Sequence, residues 1–379
     1  MNATYDGYSK SKAQALRQGG KGYVRQALLE VREQTLAWAD AYADALSARE
    51  MRIPYAPEVN PPLWELAHVA WFQEWWVGRN RERSLGAQCE PTHDRLPSRL
   101  AQADDWYDSS RVEHQSRWEL PLPGLQASLG YLADTFAQTL ELLDALPATA
   151  SADDLYFFRL VALHEAMHGE AAIYMARPLG VQLPSMTRPR FSKIGAVASL
   201  KAPAQTLWLG SPAGGFAFDN ELQTHEVALD AFEIDAEPVS WERFMAFVDA
   251  GGLQPKPQWR AAAALDPSGP AQHLNAYEAQ AWCHWAGRRL PSEAEWECAA
   301  TTVPGFAWGR VWEWTATPFQ PYPGFVPHPY RDYSQPWFGT RRVLRGACDA
   351  TSPWLAHPRY RNFFEPQRSD IFAGFRSCA

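Results

Sequence analysis

Residues 157–175 read FFRLVALHEAMHGEAAIYM. Ala, Leu, Met and Glu dominate this stretch and it holds no proline, so the composition predicts a helix. Residues four apart on a helix lie on one face. His164 and His168 are four apart, so both imidazoles can reach one point. The apolar flanks Phe157, Phe158, Leu160, Val161, Leu163, Ala171 and Ile173 predict that this helix is largely buried. Two stacked histidines in an apolar setting need polar partners, and one divalent metal would satisfy both.

HEAMH also matches H-E-x-x-H, the zinc-peptidase pattern in which Glu165 would be the general base. A zincin takes its third ligand downstream, yet the chain beyond enters a Pro-rich stretch from Arg177 to Arg190 with no histidine. A better third ligand lies upstream. His68 sits in LWELAHVAWFQEWWV, 63–77, a second predicted helix. Residues 21–49 and about 125–146 repeat apolar residues at helical spacing, so four helices with inward ligands predict a metal-binding bundle. Residues 1–20 read as weakly ordered, and Gly78 to Pro123 as a long polar link.

Composition shifts at 177–205, which reads as a linker leading into a second domain. Beyond it Gly, Pro and Trp are frequent and apolar runs are short. Only Ser240–Ala250 and Ala276–Gly287 read as helices, so the second half is expected to be an irregular α+β domain. The expected division is 1–185 and 186–379.

The whole chain has 379 residues, 46% hydrophobic and 21% charged, with a formal charge of -8. That acidic balance argues against a nucleic-acid partner. No run approaches the roughly 20 apolar residues of a membrane span. The N-terminus lacks the apolar core of a signal peptide. Five scattered cysteines without a C-x-x-C predict reduced thiols and a cytoplasmic location.

Two sets of motifs carry a resemblance. His68 followed by His164-x-x-x-His168-x-Glu170 resembles a DinB-type bundle. Gly210-Ser211, Phe218-Asp219-Asn220-Glu221, Pro238-Val239-Ser240, GRRLPSEAEWECAA at 287–300, VWEWT at 311–315, VLRGA at 343–347 and GFR at 374–376 resemble a formylglycine-generating-enzyme (sulfatase-modifying-factor) domain, which is C-type-lectin-like. In this order the pair is similar to the iron sulfoxide synthases of ergothioneine biosynthesis and the selenoneine synthases related to them. The resemblance implies that His68, His164 and His168 bind a mononuclear non-haem Fe(II). Neutral nitrogen ligands suit zinc as well, so the residues alone leave the metal open. Glu170 is expected to act one shell out, holding a ring N–H or an N-terminal loop.

The family's reaction joins a chalcogen to C2 of the imidazole of hercynine (Nα-trimethylhistidine) with O2. A trimethylammonium group calls for aromatic faces and acceptors. The matching stretch is YRNFFEPQRSDIFAGFR, 360–376. Asn362 matches an Asn that contacts the amino-acid part of the substrate, Phe363 stands where a bacterial sulfoxide synthase has Trp, and Met167 replaces a Gln. Tyr330 and then Tyr333, in PYRDYS, match a tyrosine pair near the iron that supplies a proton. Synthases using γ-glutamylcysteine hold its ammonium with an Asp; here Phe364 stands at that place, Glu365 follows and Arg368 remains. The resemblance is nearest to selenoneine synthases, whose donor is a 1-selenosugar. Arg95 or Arg99 could meet this second substrate. Cysteine or γ-glutamylcysteine as a sulfur donor is the nearest alternative. A zinc peptidase and a non-catalytic lectin-like binding module are the alternatives of other classes. Trp312 and Trp314 are expected in the domain core, and Cys348 and Cys378 are not expected to form a copper site.

Overall fold

The computed structural model describes residues 5–183 and 198–379, with side chains from Lys12 onward. The expected division at 185/186 lies outside the described residues.

The first half is helical: α1 (Tyr5–Gln18), α2 (Lys21–Ala45), α3 (Pro62–Gln73), a short α4 (Ala103–Tyr107), α5 (Leu125–Asp144) and α6 (Ala152–Leu179). In α2 the buried residues Val24, Ala27, Leu28, Val31, Trp38 and Tyr42 recur at helical spacing and face the bundle. Helix α3 is buried on every side and packs against α5 and α6. It opens on Pro62, where the lost N–H costs nothing, and runs into a π-helical turn over Glu74–Gly78. Helix α6 is set by a reciprocal Ser151–Asp154 capping box and ends on Gly180 in the left-handed region, φ 68°. A buried guanidinium locks the bundle. Arg32 of α2 donates to both oxygens of Glu165 on α6 (2.7 and 3.1 Å), to Gln73 on α3 and to the Leu132 carbonyl on α5.

Helix α1 departs from the weak order expected of residues 1–20. Its own sequence is polar, and its order comes from distant partners. Ala13 and Leu16 are fully buried, and Arg17 forms a bidentate pair with Glu221 of the second half at 2.6 and 2.9 Å. A local reading cannot see contacts of that range.

The second half begins with β1 (Ser199–Ala202), β2 (Gln205–Leu209), β3 (His225–Leu229) and β4 (Phe232–Asp235), paired antiparallel as β1–β4 and β2–β3. Four helices follow: α7 (Trp241–Asp249), α8 (Pro257–Leu265), α9 (Ala276–Trp285) and α10 (Glu293–Thr302). Two of these, α8 and α10, go beyond the two expected. A Ser292–Glu295 capping box starts α10, a signal present in the sequence. The strands β5 (Trp312–Pro318), β6 (Arg342–Gly346), β7 (Asn362–Phe364) and β8 (Ala373–Gly374) form one sheet in the order β7-β6-β5-β8. The motifs quoted above prove to be its buried ionic frame. Arg376 of GFR pairs with Glu313 of VWEWT, Arg345 of VLRGA with Glu297, and Arg361 with Glu293 at 2.8 and 2.9 Å. Burying such charges is tolerable only when they are paired.

The halves meet along α6. Glu170 accepts from the Trp312 indole and from the Thr351 hydroxyl, each at 2.6 Å. The ring N–H that Glu170 holds therefore belongs to the other domain. Trp354 donates to Glu30, and Tyr156 bonds His328.

Candidate metal centre and substrate cavity

Helices α3 and α6 bring His68, His164 and His168 together, with one ligand atom of each lying within 4.8 Å of the others. The Nε2 atoms of His164 and His168 are 3.2 Å apart. Two nitrogens bound to one ion at ~2.1 Å and about 90–109° would lie roughly 3.0–3.4 Å apart. Two Nε2 lone pairs at such range repel unless a proton or a cation stands between them.

The rings are held on their outer side. His68 donates its Nδ1–H to the Tyr107 carbonyl at 2.7 Å, and His168 donates its Nδ1–H to Glu65 at 2.5 Å. Each bond fixes the tautomer that leaves Nε2 bare, the usual outer-sphere device at metal-bound histidines. Flat contacts set the ring planes. Trp64 stacks on His68 at 4.6 Å and 10°, and Phe72 on His164 at 3.5 Å and 4°. Behind Glu65, Asn60 donates to its second oxygen and in turn accepts from Arg117, which lies over Trp64 at 3.9 Å. Burial, with His168 alongside, pushes the His68 ring down to about 3, and burial pushes His164 well down, so these imidazoles stay neutral and able to ligate a metal. Burial alone would raise Glu65, but the His168 ring more than offsets it and holds the carboxyl down to about 2.

Glu165 is turned away from this point. Its carboxylate is buried against Arg32, so the general-base role required of a zincin has no free group.

Tyr330 packs edge-on to Phe72 at 4.9 Å, its ring 6.3 Å from that of His164. Burial, then the Asp332 and Asp108 carboxylates, raise its phenol well above the ordinary range, so it keeps its proton. Tyr333 lies one ring further back, stacked on Phe218 at 4.4 Å and donating to the Tyr360 hydroxyl at 3.0 Å. The loop carrying both tyrosines is clamped at its ends by Asp219, which accepts from the His328 backbone N–H and the Ser334 hydroxyl. Burial pushes Asp219 up to about 6.

Beside His168 lies a cavity of about 200 Å³ lined by Met167, Glu170, Tyr174, Trp312, Tyr360, Asn362 and Phe364, among others. Asn362 and Phe364 share this face because alternate residues of β7 point the same way. Phe363 points to the opposite side, stacked on Phe319 at 4.1 Å. Arg368 grips Asp370 through two 2.5 Å bonds and covers Phe364 at 5.4 Å. Arg95 lies over Trp75 and Trp76, 5.1 Å from each ring, and contacts His93. Arg99 is exposed and reaches Gln138. Trp314 is core, as expected, while Trp312 is core with one edge on the cavity.

Sequence reasoning missed Tyr107, Asn60, Arg117 and Asp219 as supports. Glu65 had a readable signal, since it precedes His68 by three residues on the same helical face.

Residues 27–172 match the DinB superfamily, and 203–309 with 306–379 match the sulfatase-modifying factor enzyme 1-like domain. Fold and site thus define a two-domain protein in which a DinB bundle supplies three histidines and a sulfatase-modifying-factor domain closes over them. Over 91% of its length the chain is 31% identical to the hercynine oxygenase of Mycolicibacterium smegmatis, covering 96% of that protein. It is 30% identical over 92% to the hercynine oxygenase of Mycobacterium tuberculosis, again covering 96% of it. The formylglycine-generating enzyme of Streptomyces coelicolor is 25% identical over 51% of the chain and 90% of that enzyme. The chain belongs to the hercynine oxygenase family.

Proposed function

We propose that this chain is a mononuclear non-haem Fe(II) enzyme that uses O2 to join selenium from a 1-selenosugar to C2 of the hercynine imidazole. One observation carries the reading: the aromatic cavity directly beside the three-histidine cluster. Tyr174, Trp312, Tyr360 and Phe364 offer ring faces and Glu170 a carboxylate, the surroundings a quaternary ammonium prefers. Asn362 stands on the same wall to meet the amino-acid carboxylate. A substrate anchored there extends its imidazole toward His168. Iron held by His68, His164 and His168 would supply O2 activation and one-electron chemistry. Loss of C2–H and Se–H against one O2 balances as a selenoxide and one water. Tyr330 holds the proton that this step needs, with Tyr333 as second candidate. The zinc-peptidase and lectin-module readings find no support, since Glu165 is committed to Arg32 and the relatives are oxygenases.

The donor assignment rests on two side chains. Phe364 offers no carboxylate for an amino-acid ammonium, and Arg368 is already neutralised by Asp370 rather than open to a carboxylate. An uncharged sugar fits this wall better than γ-glutamylcysteine. Cys89, Cys283, Cys298 and Cys378 are buried free thiols, which fits a reducing compartment, the cytoplasm. No helix of the described residues is long and apolar enough to cross a membrane.

The test is to load the protein anaerobically with Fe(II), add hercynine with a 1-selenosugar, cysteine or γ-glutamylcysteine, admit O2 and weigh the products. The selenosugar adduct is expected to dominate. Efficient coupling of either thiol with none of the selenosugar would overturn the donor assignment.

A further inference from the structure

A second crevice, of about 370 Å³, lies where the α1–α2 turn, the start of α6 and the 213–215 loop meet. Its walls include Gly19, Gly20, Arg159, Gly214 and Gly215. Arg159 is only 2% exposed, yet among the described residues it has no carboxylate partner. Its Nη2 donates to the Gly19 carbonyl at 2.7 Å and its Nη1 to that of Ala152 at 3.4 Å, while Nε is buried with no hydrogen-bond partner among the described residues. Burial pushes this guanidinium down to about 10, the mark of a charge lacking a counter-ion. The second feature is independent. Helix α2, 25 residues long, begins at Lys21 behind Gly20, which has no side chain to cap it; the Tyr23 N–H bonds the Gly20 carbonyl at 3.1 Å, and no side chain of the described residues caps the Lys21 and Gly22 N–H groups. The N-cap Gly20 lines the crevice, so the positive end of that helix dipole adjoins it. Glycine also keeps the walls low. A Cβ on Gly20 or Gly214 would meet nothing within 4 Å, so the backbone lies open there. Of the two acids in the first turn of α6, Asp154 is turned onto Ser151 and Asp153 lies against Gly86.

We propose that this crevice is a binding site for a phosphate group, free or at the end of a small phosphorylated molecule. A helix N-terminus gives backbone N–H donors and Arg159 gives the guanidinium, the pairing that phosphate oxyanions take elsewhere. A crevice of about 370 Å³ leaves room for a group attached to the phosphate. The site adjoins the α1 contact that joins the two halves, since Phe216 donates to the Arg17 carbonyl and a Cβ on Gly215 would strike that oxygen at 2.5 Å. A bound phosphate would therefore strengthen the junction.

The test uses the full-length protein and follows its melting temperature and heat of binding as inorganic phosphate or glucose 6-phosphate is added, with chloride matching ionic strength. Two variants accompany it. Gly20→Asp supplies the missing cap from an extended backbone (φ -75°, ψ -177°) and puts a carboxylate where the anion would lie. Arg159→Met removes the guanidinium. Wild type is expected to show saturable binding and a rise on the order of 2 °C, and both variants to bind at least ~10-fold more weakly. Gly20→Asp is expected to keep wild-type stability without ligand, which separates lost binding from lost folding. Tighter binding of glucose 6-phosphate would assign the site to a phosphorylated molecule, and equal binding to free phosphate. No saturable response in wild type would leave Arg159 as a mere cap on α1 and overturn the proposal. A response unchanged in Gly20→Asp and Arg159→Met would overturn it equally.

Discussion

The two walls of the candidate site are built in opposite ways. The metal wall comes from α3 and α6, regular helices whose three histidines are each pinned by a stacked ring or a buried hydrogen bond. The facing wall comes from a loop carrying Tyr330 and Tyr333 and from β7, a strand of three residues. Rigid helices suit a function that needs fixed ligand angles. Loops on a scaffold suit the choice of substrate, because side chains can change there without disturbing the frame. The contrast predicts where change is tolerated: Phe364 and Arg368, donor-selecting on the proposed function, should accept substitution while the histidine trio should not.

The largest expected effect breaks the metal wall. His68→Ala removes the one proposed ligand that comes from α3. Bound Fe(II), measured by elemental analysis, is expected to fall more than ~10-fold and turnover with it. Glu165→Gln, by contrast, is expected to keep the metal while lowering stability by about 3 kcal/mol, because Arg32 loses its buried partner. Were Glu165 a catalytic base, the same variant would lose activity with its stability intact.

On the facing wall the effects should be chemical. Tyr330→Phe is expected to cut product formation by ~10²-fold with Fe(II) and hercynine binding unchanged. Tyr333→Phe should cost less, since its hydroxyl is spent on Tyr360. A reversed order in single-turnover assays would move the proton donor to Tyr333. One step behind the metal, Glu65→Gln is expected to weaken Fe(II) affinity by roughly 10- to 100-fold while the protein still folds.

The smallest effect is on stability against pH. Burial raises the Asp219 carboxyl from 3.8 to about 6, so the folded state binds an extra proton between those values. The stability this group contributes is complete below 3.8 and is lost as pH rises through about 6. Asp219→Asn should remove that slope. The difference between wild-type and variant unfolding curves is expected to decline by about 2 kcal/mol from pH 4 to 6. A flat difference would mean that Asp219 clamps the tyrosine loop without being desolvated.

The same contrast governs what could be read from the sequence. The bundle was legible because its apolar residues recur with helical period, and His164 and His168 four apart state their own geometry. Helix α1 was not, because its order depends on Arg17 meeting Glu221 some two hundred residues away. On the facing wall, alternation within NFF could have separated Phe363 from Asn362 and Phe364, but only once β7 was known to be a strand. The clamp of Asp219 on Ser334 joins two motifs with no periodic relation, and pairing of that kind is visible only in three dimensions. Even so, Phe-Asp-Asn-Glu marked the right stretch.

The most direct measurement is a crystal structure of the anaerobic Fe(II) protein with hercynine bound. The account predicts one iron on the Nε2 atoms of residues 68, 164 and 168, with the trimethylammonium group between Tyr174, Trp312 and Phe364. Iron held without His68, or hercynine lying outside that aromatic cavity, would contradict it.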